Sequence, residues 1–406
     1  MSKIKDTVKL KQVAIYSKKR IDCGLLNSKN FIGTDNLQQN KTGKTKALYT
    51  PINGTVTKYD YGDILIANIR PYLKKIWYAT STGGSSADVL TLVVNKEFDS
   101  KFVYYNLFKD DFFNHMMVGS KGTKMPRGDK NQILCFPIPE FSLIDQQKIA
   151  HILSTLDLKI KLNNKINAEL EKMAKTLYDY WFVQFDFPDE KGRPYKSSDG
   201  EMVWNDELKR DIPKGWEVKR IDQIESSIIT GKTPSTKVPE NFNGEIPFIC
   251  IGDVRGDMHI VKTETTLSKK GAETQKNKYI PEGTICVTCI ASPGLVGFAT
   301  EESQTNQQLN SIVCKKFENK YYLYFYLQDY FKYAKAKSGN TFANMNKEDF
   351  SSIKTIKPSD EILLKFANII QPSIGKILTN TKENQKLAEL RDWLLPMLMN
   401  GQVKVV

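Results

Sequence analysis

Several residue patterns that mark common protein classes are missing from this chain of 406 residues. The three histidines, His115, His151 and His259, have the spacing of neither a metal-binding motif nor a catalytic triad. Six cysteines without regular spacing do not form a disulfide framework, so a reducing, cytoplasmic compartment is expected. The longest uncharged stretch, residues 283–300, contains a Ser-Pro-Gly interruption and does not predict a membrane helix. The first ten residues lack an apolar run, so no signal peptide is expected.

Motifs for nucleotide, cofactor or metal chemistry are also missing. Gly43–Thr45 and Gly231–Thr233 resemble the end of a P-loop, but neither has the glycine that this loop needs five residues earlier. Cys286 and Cys289 form a single CxxC pair inside a strand-like run and are predicted to be buried thiols. No GxGxxG motif and no Asn/Asp-Pro-Pro-aromatic motif occurs. We therefore expect a chain that is not itself an enzyme and that holds no metal or cofactor of its own.

Positive charge is abundant and unevenly distributed. The net charge of +13 comes mainly from residues 1–143, where 22 basic and 12 acidic side chains give +10. Residues 207–357 contribute +4, whereas residues 144–206 and 358–406 are close to neutral at −2 and +1. A basic surface on a cytoplasmic protein favours nucleic acid as a partner, since each neutralised phosphate releases counterions. A soluble basic protein without a nucleic-acid partner is the alternative on charge alone.

The two near-neutral segments have the periodicity of long helices. No Pro or Gly occurs between Ile144 and Phe187, and apolar residues recur at helical spacing, which predicts a helix over about residues 144–182. Such a helix would be roughly 57 Å long at ~1.5 Å per residue and needs a partner along its length. The C-terminal segment has similar spacing, with an expected kink or loosening near Pro372 and Gly375. Two long amphipathic helices predict a paired coiled coil.

The chain also repeats itself at a fixed offset. Lys148–Leu153 aligns with Lys365–Ile370 at an offset of 217 residues, and several Lys, Asn and apolar positions match at the same offset. The segments between the helices share a weaker similarity, between Gly62–Ile66 and Gly283–Val287. Two unrelated amphipathic helices would share apolar positions but not these Lys and Asn positions. The predicted organisation alternates two globular α/β domains, 1–143 and 207–357, with a long helix and linker, 144–206, and a second long helix, 358–406.

A series of motifs runs from the central segment to the C-terminus, among them a Phe-Asp-Phe-Pro motif and a Leu-Leu-Pro-Met-Leu run. The motifs are Ile144–Ala150, Leu156–Asp157, Leu177–Tyr178, Trp181–Val183, Phe185–Pro188, Pro194–Ser198, Gly215–Val218, Gly231–Ser235, Ile246–Phe248, Asp253–Val254 and Leu394–Leu398. In this order they resemble the conserved regions of type I restriction-modification specificity subunits and the opening of that family's second target-recognition domain, and the resemblance covers the whole chain. Residues 1–143 match weakly, as expected of a variable recognition domain.

This resemblance implies an α+β fold in which two long antiparallel helices, forming a coiled coil, separate two recognition domains. Each domain would read one half of a bipartite double-stranded DNA target, and the helices would set the spacing of the halves. Two modification subunits would dock on the chain and methylate adenine N6 with S-adenosylmethionine. Restriction subunits that use ATP and Mg would join them. The chain itself would be a non-catalytic specificity subunit, in the cytoplasm and not at a membrane.

One segment of the first domain has side chains suited to base reading. A polar cluster follows the strand-like run Ile64–Ala67, and Arg and Asn are the side chains best shaped to bind guanine and adenine edges, while Lys suits phosphates. An ordinary solvated strand end is the alternative. The candidate residues of this cluster are Asn68, Arg70, Tyr72, Lys74 and Lys75.

Further candidates lie in loops that are expected to contact the sugar-phosphate chain. Small hydroxyls and backbone N–H groups of Gly-rich basic loops suit phosphate oxygens. The Gly119–Gly128 loop provides Ser120, Lys121, Thr123, Lys124 and Arg127. Residues 337–345, at the matching place in the second half, provide Ser338, Asn340, Thr341 and Asn344, and the opening of the second recognition domain adds Lys232 and Thr233.

Two other classes of function remain open at this point. A self-contained DNA methyltransferase-nuclease, or a fragment of one, is disfavoured by the missing motifs. A coiled-coil scaffold without nucleic acid is disfavoured by the charge of the first domain. The Asn163, Asn164 and Asn167 cluster either contacts a modification subunit or interrupts the apolar seam between the helices.

Overall fold

The computed structural model describes residues 6–120, 122, 124–338 and 344–405, without the side chains of residues 337 and 338. The chain forms two compact units, Met1–Ile160 with Lys386–Val406 and Lys161–Gln385. Two long helices, α5 and α10, each contribute one half to each unit. Their bounds are Leu143–Tyr178 and Asp360–Met399. In the described part of the chain, no helix is long and apolar enough to cross a membrane.

The first unit contains two four-stranded sheets and one two-stranded sheet, with strand orders β2-β9-β6-β7, β3-β5-β8-β4 and β1-β10. Its strands are β1 (Thr7–Lys9), β2 (Ala14–Tyr16), β3 (Arg20–Asp22), β4 (Phe31–Ile32), β5 (Thr55–Tyr59), β6 (Ile64–Ala67), β7 (Ile76–Tyr78), β8 (Gly83–Ser85), β9 (Val89–Val94) and β10 (Pro137–Pro139). Its short helices are α1 (Leu10–Val13), α2 (Ser100–Leu107), α3 (Asp110–Val118) and α4 (Lys130–Ile133).

The second unit contains a five-stranded, a three-stranded and two two-stranded sheets, with orders β14-β21-β18-β19-β16, β17-β15-β20, β11-β12 and β13-β22. Its strands are β11 (Met202–Asn205), β12 (Arg210–Pro213), β13 (Glu217–Arg220), β14 (Ile228–Thr230), β15 (Phe242–Ile249), β16 (His259–Ile260), β17 (Thr265–Leu267), β18 (Ile285–Thr288), β19 (Val296–Ala299), β20 (Gln304–Thr305), β21 (Leu309–Ile312) and β22 (Lys354–Lys357). Its helices are α6 (Ile221–Ile224), α7 (Lys269–Glu273), α8 (Phe317–Ser338) and α9 (Lys347–Ser351).

The two units share one plan, which confirms the predicted repeat. The order β2-β9-β6-β7 recurs as β14-β21-β18-β19, and the β1-β10 pair recurs as β13-β22. Even a helix start is repeated, because the N–H of Lys9 donates to Gln12 Oε1 at 3.0 Å and the N–H of Arg220 donates to Gln223 Oε1 at 2.8 Å. Each pair satisfies a backbone N–H that a helix leaves without an intrahelical partner.

Each hydrophobic core includes both long helices. In the first unit, Ile149 and Leu153 of α5 and Leu395 and Leu398 of α10 belong to the core beneath β6 and β9. In the second unit, the residues that lie 217 positions from these along the sequence are buried in the corresponding core. Among them are Phe366, equivalent to Ile149, and Trp181, equivalent to Leu398. Burying these faces stabilises the helices by roughly 25 cal/mol per Å² of apolar surface.

The long helices match the sequence prediction closely and add one feature. The helix α5 is followed by a π-helical turn, Asp179–Val183, so the predicted limit near residue 182 is accurate. The helix α10 continues through Pro372 and Gly375, where the sequence predicts a kink or loosening. Its buried face on both sides of these residues, from Phe366 to Ile377, holds the segment in a helical conformation.

The helices run antiparallel where they pair within the second unit. Asn163 Nδ2 donates to Asn384 Oδ1 at 2.9 Å, and Asn380 Nδ2 donates to Asn167 Oδ1 at 2.9 Å. A higher residue number in α5 thus meets a lower one in α10. Adding 217 to Asn163 gives Asn380, and subtracting 217 from Asn384 gives Asn167, so the two bonds are equivalent and the helices pair symmetrically at this point of the second unit. These asparagines interrupt the apolar seam, one of the two roles considered for them.

Candidate nucleic-acid interface

The turn that follows β6 holds the residues predicted to read bases. Asn68 is buried, and its Oδ1 has no hydrogen-bond partner within the described residues. Arg70 is exposed and adopts the left-handed region at φ 52°, with its N–H donating to the carbonyl of Pro126 at 2.8 Å. Tyr72 is 49% exposed. The turn therefore presents Arg70 and Tyr72 to solvent and directs the Asn68 amide inward.

Three cations of the predicted set make internal contacts. Lys74 forms an ion pair with Asp110 at 2.7 Å, and Arg127 forms one with Asp88 at 2.9 Å. Lys75 donates from Nζ to the carbonyl of Thr34, and burial lowers the pKa of its ammonium group. These ion pairs stabilise the loops, but the paired carboxylates reduce the net positive charge that is available to bind phosphates. Thr34 belongs to a turn that the sequence does not single out.

The Gly-rich loop lies beside the same turn. The N–H of Gly128 donates to the carbonyl of Asn68 at 3.1 Å, and a Cβ at Gly128 would come within 2.9 Å of Asn68 Oδ1, so a glycine permits this approach. Ser120 Oγ donates to the carbonyl of Met117 at 2.8 Å, at the end of α3. Lys124 is exposed, whereas the predicted residues Lys121 and Thr123 lie outside the described residues.

The second unit repeats this arrangement at the end of β18. The N–H of Met345 donates to the carbonyl of Cys289 at 2.9 Å, as Gly128 does to Asn68. Ala291 is left-handed at φ 62°, like Arg70, and its N–H donates to Asn344 Oδ1 at 3.4 Å. The structure thus brings Asn344 to the turn equivalent to that of Arg70.

The remaining predicted residues of the second unit divide into two groups. Lys232 and Thr233 lie on the connection from β14 to β15, where Lys232 donates its N–H to the carbonyl of Thr305 and Thr233 Oγ1 donates to Gln307 Oε1 at 2.6 Å. These contacts involve the end of β20 and not the Ala291 turn. Asn340 and Thr341 lie outside the described residues, as does the side chain of Ser338.

The two cysteines that the sequence predicts to be buried are indeed in the core. Cys286 and Cys289 are 0% and 1% exposed, and burial raises the pKa of the Cys289 thiol to about 11. Tyr322 and Tyr324 of α8 also pack inside the second unit, against α5 and β19. Across the part of the chain that the structure describes, no group of three or more His, Cys, Asp or Glu side chains is arranged to hold a metal ion.

Comparison with known proteins identifies the family of this chain. A family model, the type I restriction modification DNA specificity domain, matches residues 1–172 and 213–391. The type I restriction enzyme HindI specificity subunit of Haemophilus influenzae is 32% identical over 404 residues, covering 84% of this chain and 86% of that protein. The MjaIX specificity subunit of Methanocaldococcus jannaschii is 30% identical over 319 residues, covering 75% and 69%.

A solved structure shows the same fold. The type I restriction-modification S subunit from M. genitalium matches with a TM-score of 0.57 and 15% sequence identity, over 98% of this chain and 97% of that one. The family model covers most of the chain in two copies, one on each unit. This protein therefore belongs to the specificity subunits of type I restriction-modification systems, the DNA sequence-recognition components that are not themselves catalytic.

Proposed function

We propose that each unit reads one half of a bipartite duplex DNA target. The observation that carries this proposal is the repeated turn, left-handed at Arg70 and at Ala291, which is bonded in both units to the loop before a short helix. A domain that occurs twice with the same exposed turn presents two equivalent reading surfaces. The positive charge of residues 1–143 and 207–357 supplies the sequence-independent attraction to phosphates.

Within this surface, Arg70, Tyr72 and Lys124 are the strongest candidates for direct DNA contact, because they are exposed. Lys74 and Arg127 act mainly through their ion pairs, which position the turn and the Gly-rich loop. Asn68 supports the Gly-rich loop from inside the unit, because its backbone carbonyl accepts a hydrogen bond from the N–H of Gly128. Lys75, Ser120 and Thr233 support the loop geometry through their side-chain hydrogen bonds, whereas Lys232 and Asn344 are exposed and remain candidates for contact in the second unit.

The paired helices set the distance between the half-sites. A helix rises about 1.5 Å per residue, so its length depends on residue count and not on chain entropy. The cross-helix asparagine bonds fix which residues of α5 and α10 lie opposite each other in the second unit. The spacer of the target therefore follows from helix length, and the bases at each half-site follow from the globular parts.

Two modification subunits dock on the helices, one on each unit. Both units have exposed apolar side chains on the long helices, which the pairing of the two helices leaves uncovered. Exposed apolar surface of this kind marks a site of protein–protein contact. In the first unit these include Trp393, 58% exposed, and Leu390; in the second they include Met173, 65% exposed, and Ile369. Met173 and Leu390 are equivalent at the offset of 217. S-adenosylmethionine belongs to the modification subunits, and ATP and Mg to restriction subunits of the cytoplasmic complex.

Native mass spectrometry of the chain with its modification subunit tests this docking. Wild-type protein should bind two copies, and Leu390→Asp with Trp393→Asp should bind one, because a carboxylate in an apolar contact remains unsolvated. Met173→Asp with Ile369→Asp should also leave one copy. Trp204→Asp, at a tryptophan equally exposed on β11, is the matched control and should keep two.

DNA binding by the same samples completes the test. Isolated chain should bind duplex DNA weakly and become sequence-specific with both modification subunits bound. Tight, specific binding by partner-free monomer, or a single copy of modification subunit on the wild-type chain, would contradict the proposal.

A further inference from the structure

The repeat extends to a segment that precedes the reading turns. Residues 31–38 read FIGTDNLQ and residues 248–255 read FICIGDVR, at the same offset of 217 as the helices. In both, the first two residues form a parallel strand pair, β4 with β8 and β15 with β20. The two octapeptides therefore leave equivalent strands in equivalent directions.

The turns that follow these strands also close in the same way. The N–H of Gly33 donates to Asn36 Oδ1 at 2.6 Å, and the N–H of Cys250 donates to Asp253 Oδ2 at 2.7 Å. A side-chain oxygen that accepts from a backbone N–H three residues earlier fixes the path of the turn. The last residues of the two turns, Gln38 and Arg255, consequently occupy equivalent positions.

In each unit this turn is bonded to the proposed reading turn. In the first unit, the N–H of Asn40 donates to the carbonyl of Leu73 at 2.9 Å. In the second unit, Arg255 Nη2 lies 3.4 Å from Ser292 Oγ, one residue after the left-handed Ala291. Gln38 and Arg255 therefore lie beside the segments already proposed to face DNA.

The guanidinium of Arg255 retains most of its hydrogen-bonding capacity. It is exposed, makes one long bond to Ser292, and has no carboxylate partner among the residues that the structure describes. Other arginines of the second unit are engaged, including Arg193 with Asp189. Gln38 is partly exposed, and its Nε2 makes two long bonds within its own turn, to the carbonyl of Asn36 at 3.4 Å and to Thr45 Oγ1 at 3.2 Å, which a base contact would replace. Arg pairs bidentately with the O6 and N7 atoms of guanine, and Gln with the N6 and N7 atoms of adenine.

We infer that Arg255 and Gln38, which occupy equivalent positions of the repeat, are base-reading residues, Arg255 for a guanine in one half-site and Gln38 for an adenine in the other. This inference rests on the proposed function, in which each unit reads one half-site. It adds a second reading position to each unit, on a different turn from Arg70 and Ala291. It also gives the second unit a base reader, a role for which the alanine at position 291 is unsuited.

The test measures binding by the chain assembled with its modification subunits. Methylome sequencing of a host with the wild-type complex first gives the target, and gel-shift titrations at one salt concentration then use that duplex and all its single-base substitutions. The variants are Arg255→Ala, Arg255→Gln and Gln38→Ala. Arg220→Ala removes an arginine that is paired with Asp222 and serves as the matched control.

Arg255→Ala should lose roughly 10- to 100-fold of discrimination at one guanine, and Gln38→Ala at one adenine of the opposite half-site. Arg255→Gln should shift the preference at its position towards adenine, which also shows that the variant is folded. Arg220→Ala should discriminate as wild type does. Unchanged discrimination in Arg255→Ala, an equal loss on every duplex, or effects of both residues in one half-site would overturn the inference. A wild-type complex without a bipartite preference would instead overturn the proposed function.

Discussion

Single residues of the reading turns are held in a conformation that costs free energy. The left-handed region costs a residue with a Cβ about 1–2 kcal/mol, yet Arg70 and Ala291 both adopt it. Each is held there by a bond from its own N–H, to Pro126 or to Asn344. Backbone strain of this kind persists where surrounding contacts determine the conformation, as in a surface shaped for a ligand.

Arg70 and Lys124 should affect DNA recognition in different ways. Arg70→Ala should cost about 1–3 kcal/mol against the correct base at one position, since a bidentate base contact is lost. Lys124→Ala should weaken binding to all sequences alike and lower the magnitude of the log-log salt slope by roughly 0.9, since one phosphate contact is lost. A salt titration of the assembled complex on cognate and single-mismatch duplexes measures both effects.

Lys74→Ala provides a comparison in the same cluster. Because Lys74 is paired with Asp110, its loss should change the salt slope less than the loss of Lys124. A uniform loss of affinity in Arg70→Ala, with discrimination kept, would show that Arg70 positions DNA and does not read it. No effect at all would leave the cluster as an ordinary strand end.

At the scale of secondary-structure elements, the helix pair contains an unusual polar centre. Asn163 and Asn380 are 2% and 1% exposed, although burial of an amide is costly unless it is hydrogen-bonded. The bonds of Asn163 to Asn384 and of Asn380 to Asn167 offset that cost, each by about 0.5–1.5 kcal/mol. In coiled coils a buried asparagine favours one register over others.

Loosening this polar centre should affect spacing and not base choice. Asn163→Ala leaves Asn384 without one partner, so the free energy of unfolding should fall by about 1–3 kcal/mol. Methylation of targets whose spacer is one base pair longer or shorter should rise relative to the correct target. Lys165→Ala, at an exposed position of the same helical turn, is the control. An altered half-site with an unchanged spacer preference would contradict this account.

At the scale of the whole molecule, the sequence predicts the fold and its repeat well. The apolar spacing gives α5 to within a few residues, and the matches at an offset of 217 anticipate the shared strand order of the two units. These features can be predicted because the helical periodicity is strong over more than 30 residues and the central motif is specific. The family assignment follows from the same features.

The candidate site is less accessible to prediction. Charge alone does not distinguish the exposed Lys124 from Lys74, whose ion pair depends on α3 folding back onto the turn. The left-handed conformation of Arg70 depends on a loop more than 50 residues further along the chain. Gln38 and Arg255 belong to no recognisable motif. The match between their two octapeptides, 217 residues apart, is the signal that could have identified them.

In the proposed function, the globular parts choose the bases while helix length sets the spacer. Methylome sequencing can separate these two roles in a host that carries the modification subunits and either the wild-type chain or a chain with about four residues inserted within Asn163–Lys175. The wild-type chain should yield one bipartite adenine N6 motif with a fixed spacer. The insertion should lengthen that spacer and leave both half-sites unchanged, since one added helical turn is about 5.4 Å. A contiguous motif, or changed half-site bases with the spacer fixed, would contradict the account.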